Sequence, residues 1–420
     1  MLKINFYDDD IIKEYSETVT EKVKNKNGKK DDIQFIPANI AKRKDGKPYS
    51  ISIKDLLIMR REEIFKVEGI RLYMLICSVQ RYINKSNEEL LPLLIKKYRK
   101  GEEVPHKPDN CEYDIITEAV NILKGEFEKL DKNYANNYFK KINDIQSLNS
   151  TLKNMYNELN KVDHIVDYSI IAHNNIRHKV ITSLDVSTCP YCNRNYITSY
   201  GKENKKTTAD LDHFYPKKQY PLFALSLFNF VPSCSVCNSR MKGSHYADDL
   251  MYPYDEGFGN DAGFKLKYIG ENKKGKDILR FWLGLGKSEK NEADNSELVI
   301  EIEPYVSKEK KERIKNSIEL FKLEEVYKAH LKEALEVALR TRIYCEGSYK
   351  KYCEKLFDSL NNKGMENTSV SDMESFIFKI PLDAEWLMFG INMNDEERFI
   401  NKPLSKMTHD IFHSEKWNLV

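Results

Sequence analysis

The chain has 420 residues, with 67 Lys and Arg against 65 Asp and Glu, a formal net charge of +2, and 41% hydrophobic residues. That much apolar material excludes global disorder, and the near-neutral charge excludes a histone-like coat for nucleic acid. The longest apolar run, 221–232, is interrupted by Ser226 and Asn229, which excludes a transmembrane helix. The opening MLKINFYDDD carries no basic-then-apolar signal, so a cytoplasmic protein is expected. Eight cysteines in this length are too sparse for a disulfide scaffold.

In chain order, 23–32 reads as a solvated turn. Within 33–53, IQFIPANI and YSISI flank the turn signal Asp45-Gly46 and read as strands. From 53 to about 82, apolar residues recur at helical spacing (Leu56, Leu57, Met59, Ile64, Val67, Ile70, Leu72, Leu75). Further helices are expected at 113–130 and 145–173. Helical periodicity stops at 187, where Cys, Pro, Asn and aromatic residues concentrate. FKLKYI and LVIEIEP then read as strands, 308–359 as long helices, and 371–420 as largely helical. The expected class is α+β: a mainly helical protein with a small inserted core. Its regions are a helical 1–186, the core 187–256, and a mainly helical 257–420. The chain has no internal repeat and no GxxxxGK[ST] phosphate loop.

Two CxxC pairs carry the main chemical signal. Cys189 and Cys192 form one pair and Cys234 and Cys237 the other, with 41 residues between them. Each pair presents two thiolates from a tight turn, and four thiolates make a closed tetrahedral zinc site, structural rather than catalytic. A single CxxC can be a redox motif, but two pairs, each followed by Asn (Asn193, Asn238), are better explained by zinc. Between them lie DLDHFYPK (210–217) and LFNFVPS (227–233), and after them Asn238, Arg240, Lys242 and His245. These residue types fit hydrolysis of a phosphodiester. A His deprotonates water, carboxylate and amide oxygens suit Mg²⁺, and basic side chains neutralise phosphate.

The pattern CxxC, DH-aromatic-x-P, Asn before a strand-like run, then CxxCN with a basic residue resembles the HNH endonucleases, whose core is the ββα-metal (His-Me) finger. The resemblance covers about 70 residues, 187–256. More loosely, CxYC…DHFxPK…CxxCN resembles the HNH subunits of Septu and retron-type anti-phage systems, which act with a separate ATPase. The resemblance implies that His213 is the general base and that Asp212 and Asn238 hold one catalytic Mg²⁺ or Mn²⁺. It implies that Asn229 orients the histidine through its side chain or backbone. Lys217, Arg240, Lys242 and His245 become candidate phosphate contacts. The 19 residues between Cys192 and Asp212, with Lys202, Lys205 and Lys206, are an insertion: a substrate-contacting loop or slack.

Local charge agrees with a nucleic-acid site. Residues 187–246 hold eight basic against three acidic residues, a net +5 that leaves −3 for the remainder. His173 and His178 read as structural, His409 and His413 as capping or surface residues, and Cys77, Cys111, Cys345 and Cys353 as small core residues. The Pro253–Gly257 stretch reads as a turn closing the unit. The expectation is a metal-dependent endonuclease with DNA favoured as substrate and RNA, such as tRNA, open. It is expected to serve bacterial defence with an ATPase partner and no membrane. The rival from another class is a zinc-ribbon nucleic-acid-binding module without catalysis. A further rival is homing or restriction activity with sequence specificity.

Overall fold

Tyr15, Val19 and Val23 recur every fourth residue, and the helix they line, α1 (Asp9–Lys26), buries that stripe. The computed structural model describes residues 1–83, 125, 145–269, 297–345, 351 and 389–417, apart from gaps at 42, 44, 173–174, 201–205, 244–249, 307, 392 and 394–395. An acidic first turn (Asp9, Asp10) and a basic last turn (Lys24, Lys26) complement the dipole of α1. Strands β1 (Asp32–Ile36) and β2 (Tyr49–Ser52) pair antiparallel, as the turn signal predicts. Gly46 in their connection has φ +80° and donates to the Arg43 carbonyl at 2.8 Å.

The helical run expected over 53–82 forms three pieces: α2 (Ile53–Ile58), α3 (Arg61–Ile64) and α4 (Ile70–Ile83). Met59 is extended and breaks the first junction. Gly69 breaks the second at φ +86°, where a Cβ would lie 2.7 Å from the Tyr49 ring. Only glycine fits that position. The apolar period runs through both breaks because each piece buries into the same core. Next come α5 (Ile145–Leu159), a 3₁₀ turn (Asn160–His164), α6 (Ser169–Ala172) and α7 (Asn175–Thr182). The helix expected at 113–130 lies outside the described residues.

The middle segment supplies two short hairpins, β3 (Ser199–Tyr200) with β4 (Lys206–Thr207) and β5 (Asp210–His213) with β6 (Phe230–Ser233). After β6 comes a π-helical segment, Val236–Lys242, closed by the Gly243 N–H on the Asn238 carbonyl at 2.8 Å. Strands β7 (Ala262–Ile269) and β8 (Glu297–Pro304) pair along their full length, where FKLKYI and LVIEIEP predict strands. Helices α8 (Lys308–Leu320), α9 (Leu323–Tyr327), α10 (Leu331–Cys345) and α11 (Ser405–Trp417) complete the described chain. Lys322, left-handed at φ +47°, splits the helical run that the sequence shows as continuous.

The class is α+β: helices with four separate two-stranded antiparallel sheets among the described residues. The middle segment lies where the others meet. Leu2 N–H donates to the Pro190 carbonyl at 2.8 Å and Ile4 N–H to Pro253 at 2.9 Å. Tyr15 Oη donates to the Leu225 carbonyl at 2.7 Å. One hydrophobic cluster runs across both expected boundaries, 186/187 and 256/257. The expected turn after Pro253 forms, and Gly257 lets the chain start pass: a Cβ there would lie 2.4 Å from Lys3 N. No described helix is long and apolar enough to cross a membrane.

Candidate functional site

The sulfurs of Cys189, Cys192, Cys234 and Cys237 all lie within 4.8 Å of one another, and all four residues are buried. Zn–S bonds of about 2.3 Å put tetrahedral sulfurs roughly 3.8 Å apart, so this cluster can hold a metal ion such as zinc. The first pair sits in a tight turn closed by Asn193 N–H on the Cys189 carbonyl at 2.7 Å, with Asn193 left-handed at φ +49°. The second pair brackets the junction of β6 and the π-helical segment. Asn195 Nδ2 donates to Cys234 Sγ at 3.3 Å, and Tyr327 Oη donates to the Cys192 carbonyl at 2.8 Å. Hydrogen bonds with the other three thiols of the cluster push Cys234 strongly down and Cys237 up. Cysteine ligates a metal as the thiolate, so an ion bound here displaces the thiol protons.

Asn193 also ties this knuckle to the far end of the chain. Its Oδ1 accepts from Ser405 Oγ and Lys406 N, each at 3.1 Å. Its Nδ2 donates to Phe399 O at 3.2 Å and Lys402 O at 3.0 Å, and its carbonyl accepts from Leu404 N at 2.6 Å. On α11 itself, His409 Nδ1 lies 3.0 Å from Asp410 Oδ1, whose other oxygen accepts from Phe264 N at 2.9 Å. His409 is thus largely buried against Asp410, not the surface or capping residue expected. Cys77 is a core residue, as expected; Cys111 and Cys353 lie outside the described residues.

Residues two apart on a strand share a face, and residues four apart on a helix share a face. Asp210 and Asp212 on β5 therefore meet Asn238 and Lys242 in order. Asn238 Nδ2 donates to Asp210 Oδ2 at 3.1 Å, and Lys242 Nζ lies 3.1 Å from Asp212 Oδ1. Asp212 Oδ2 accepts from Tyr191 Oη at 2.6 Å. Asp212 is 2% exposed and Lys242 0%. Lys242, expected to meet phosphate, instead pairs with Asp212 and donates to the His213 carbonyl at 2.6 Å. The physical reason is the register: its turn of the helix faces β5, not solvent.

His213, one residue on, projects to the other face. Its ring lies edge-on to Tyr168 and Phe230, with centroids 4.8 and 5.1 Å away. Nε2 is 3.0 Å from the Ala224 carbonyl. A carbonyl only accepts, so this contact assigns the proton to Nε2 and leaves Nδ1 its lone pair. Burial, joined by the charges of Lys217 and Lys242, pushes the imidazole down to about 3 against the pull of the Ala224 carbonyl. The ring is therefore neutral at physiological pH.

Asn229 precedes β6, as expected, and locks the loop that carries Ala224. Its Oδ1 accepts from Tyr215 N at 2.7 Å, and its Nδ2 donates to Tyr215 O at 3.1 Å and Phe223 O at 2.9 Å. Lys217 and Arg240 are exposed; Lys217 Nζ stands 4.5 Å over the Tyr168 ring beside His213. His245 lies outside the described residues, as do Lys202 and Lys205. Reasoning from sequence missed Tyr191, Asp210 and Asn195. The alternation Asp210-x-Asp212 facing Asn238-x-x-x-Lys242 was the available signal for Asp210.

No family model matches the chain, and no solved structure matches it. One curated relative, Protein ea31 of Escherichia phage lambda, is 32% identical over 88 residues, 20% of this chain. The chain spans about a quarter of that relative's length.

Proposed function

We propose that the chain is an endonuclease of the HNH type, with residues 187–256 as its core and His213 as the base that takes a proton from the attacking water. The observation that carries this reading is the disposition of His213. A strand-end histidine has its Nε2 fixed on the Ala224 carbonyl and its Nδ1 lone pair left available, in a loop locked by Asn229. Water gives its proton to His213 and adds to phosphorus, the bond to the 3′-oxygen breaks, and the departing oxygen takes a proton from solvent to leave a hydroxyl. In this reading exposed Lys217, beside His213, and exposed Arg240 contact the phosphate chain. An arriving phosphate raises the basicity that burial and the neighbouring cations depress. Zinc on the four cysteines holds the frame.

The family reading also calls for Mg²⁺ or Mn²⁺ on Asp212 and Asn238. As arranged, these donors do not fit it. Both Asp212 oxygens are engaged, and the carboxylate is 2% exposed, whereas Mg²⁺ keeps several waters. No step is therefore assigned to that ion. DNA is the favoured substrate and RNA the alternative. By resemblance, the setting is anti-phage defence in the cytoplasm with a separate ATPase. The closure of Asp212 favours a second reading, a zinc-stapled nucleic-acid-binding module without chemistry.

The deciding experiment incubates purified protein with plasmid and with total RNA, with and without Mg²⁺, beside His213→Ala. The nuclease reading expects cleavage that falls by about 10²-fold or more in the variant. Binding without cleavage in every arm establishes the module instead, and undiminished cleavage by His213→Ala removes the proposed base.

A further inference from the structure

We propose that Lys242 is the resident cation of the Asp212 site: its ammonium occupies the place a divalent ion would need, and such an ion reaches Asp212 only when Lys242 is removed. The inference concerns the site of the nuclease reading, but it is tested without cleavage.

Three observations carry it. First, Lys242 Nζ bridges two oxygens, Asp212 Oδ1 at 3.1 Å and the His213 carbonyl at 2.6 Å. A carboxylate and a main-chain carbonyl are the hard donors that Mg²⁺ and Mn²⁺ select. The lysine thus gathers an oxygen set suited to an ion, at the point where the ion would sit. Second, Tyr191 Oη closes the other side of Asp212 at 2.6 Å. Among the described residues Asp212 is 2% exposed, which leaves little room for the water shell that such an ion keeps. Third, the placement is dictated by register. The four-residue step from Asn238 to Lys242 matches the two-residue step from Asp210 to Asp212. While Asn238 stays on Asp210, the Lys242 side chain is directed at Asp212.

A fully buried ammonium is tolerated only when paired and hydrogen-bonded, and here both partners are in reach. The arrangement replaces an exchangeable, hydrated double charge with a tethered single one. That fixed charge lies beside the main chain of His213. Lys242 is in this sense a positioning residue. It holds Asp212 and the end of β5, and it excludes solvent cations from both.

The test is Mn²⁺ binding to the full-length, zinc-loaded chain, read by electron paramagnetic resonance and calorimetry. The probe is Mn²⁺ alone, and the samples are wild type, Asp212→Asn, Lys242→Ala, Lys242→Ser and the double variant Lys242→Ala/Asp212→Asn. Wild type is expected to show no Mn²⁺ site that Asp212→Asn abolishes. Lys242→Ala and Lys242→Ser are expected to gain one, at least tenfold tighter than any wild-type binding, and the double variant to lose it. Loss of the fold cannot mimic a gained site. An Asp212-dependent Mn²⁺ site in wild type overturns the proposal. So does the absence of a new site in a Lys242 variant that keeps one zinc and native circular dichroism. If neither Lys242 variant folds, the wild-type comparison with Asp212→Asn decides alone. These outcomes are independent of cleavage, so failure here leaves the nuclease reading standing, and the reverse holds.

Discussion

The Asn229 side chain reaches the His213 ring through one peptide unit. Its Nδ2 donates to the Phe223 carbonyl at 2.9 Å, and the next carbonyl along, that of Ala224, receives His213 Nε2 at 3.0 Å. One peptide unit therefore transmits the asparagine's position to the imidazole. Asn229→Ala removes three hydrogen bonds from a buried loop, those to the N–H and carbonyl of Tyr215 and to the carbonyl of Phe223. The expected cost is about 3 kcal/mol in chemical denaturation, together with loss of any His213-dependent cleavage. Unchanged stability would show that water replaces the amide.

The Asp212–Lys242 pair is buried on both sides, at 3% and 0% side-chain exposure. Removing one partner strands the other. Lys242→Met and Asp212→Asn are each expected to cost about 3–5 kcal/mol, and the double variant less than their sum. A double-mutant cycle by urea unfolding measures the coupling; strict additivity would mean the two groups do not interact.

Acid should destabilise the protein in part through His213. The folded imidazole is pushed down to about 3, mainly by burial, while an unfolded histidine titrates near 6.5. Between those values the unfolded chain binds the extra proton, so stability rises with pH and is lost as pH falls from about 6.5 toward 3. The slope from this one group is at most ~1.4 kcal/mol per pH unit. His213→Gln is expected to flatten the profile in that window, measured by unfolding at a series of pH values.

The cysteine cluster predicts one zinc per chain by mass spectrometry, lost in Cys234→Ser. Because Asn193 follows the first cysteine pair and holds residues 399–406, the metal's effect should extend to α11. Chelation, and separately Asn193→Ala, are expected to raise hydrogen exchange across 405–417. Asn193→Ala should keep its zinc. Exchange that rises only with chelation would place the coupling in another contact.

What the sequence made legible follows from spacing. Two CxxC pairs announce four sulfurs whatever the fold, and Asn before FVPS marks the entry to β6. FKLKYI and LVIEIEP form β7 and β8 because their alternation suits one buried face. Asp212 and His213 were legible as a pair, but strand alternation sends them to opposite faces, which adjacency in sequence does not convey. Lys242 looked like a surface residue because a long basic side chain usually is. Its partner lies 30 residues away, and the meeting depends on how strand and helix are registered. The breaks at Met59, Gly69 and Lys322 were hidden because an apolar period continues through a bend when both arms face one core. Asn193 looked like a knuckle residue, and its partners more than 200 positions on carry no local signal.

Those distant partners bear on how the chain is made. The knuckle receives Leu2 on one side and, through Thr188 and Asn193, residues 399–406 on the other. During synthesis at about 5–20 residues per second, some 10–30 s separate the emergence of Cys237 from that of Lys406. Throughout that interval Asn193 lacks its full set of partners, and the newborn chain carries the cysteines before the clamp that steadies them. Ribosomal timing thus makes this knuckle one of the last parts of the molecule to reach its final form.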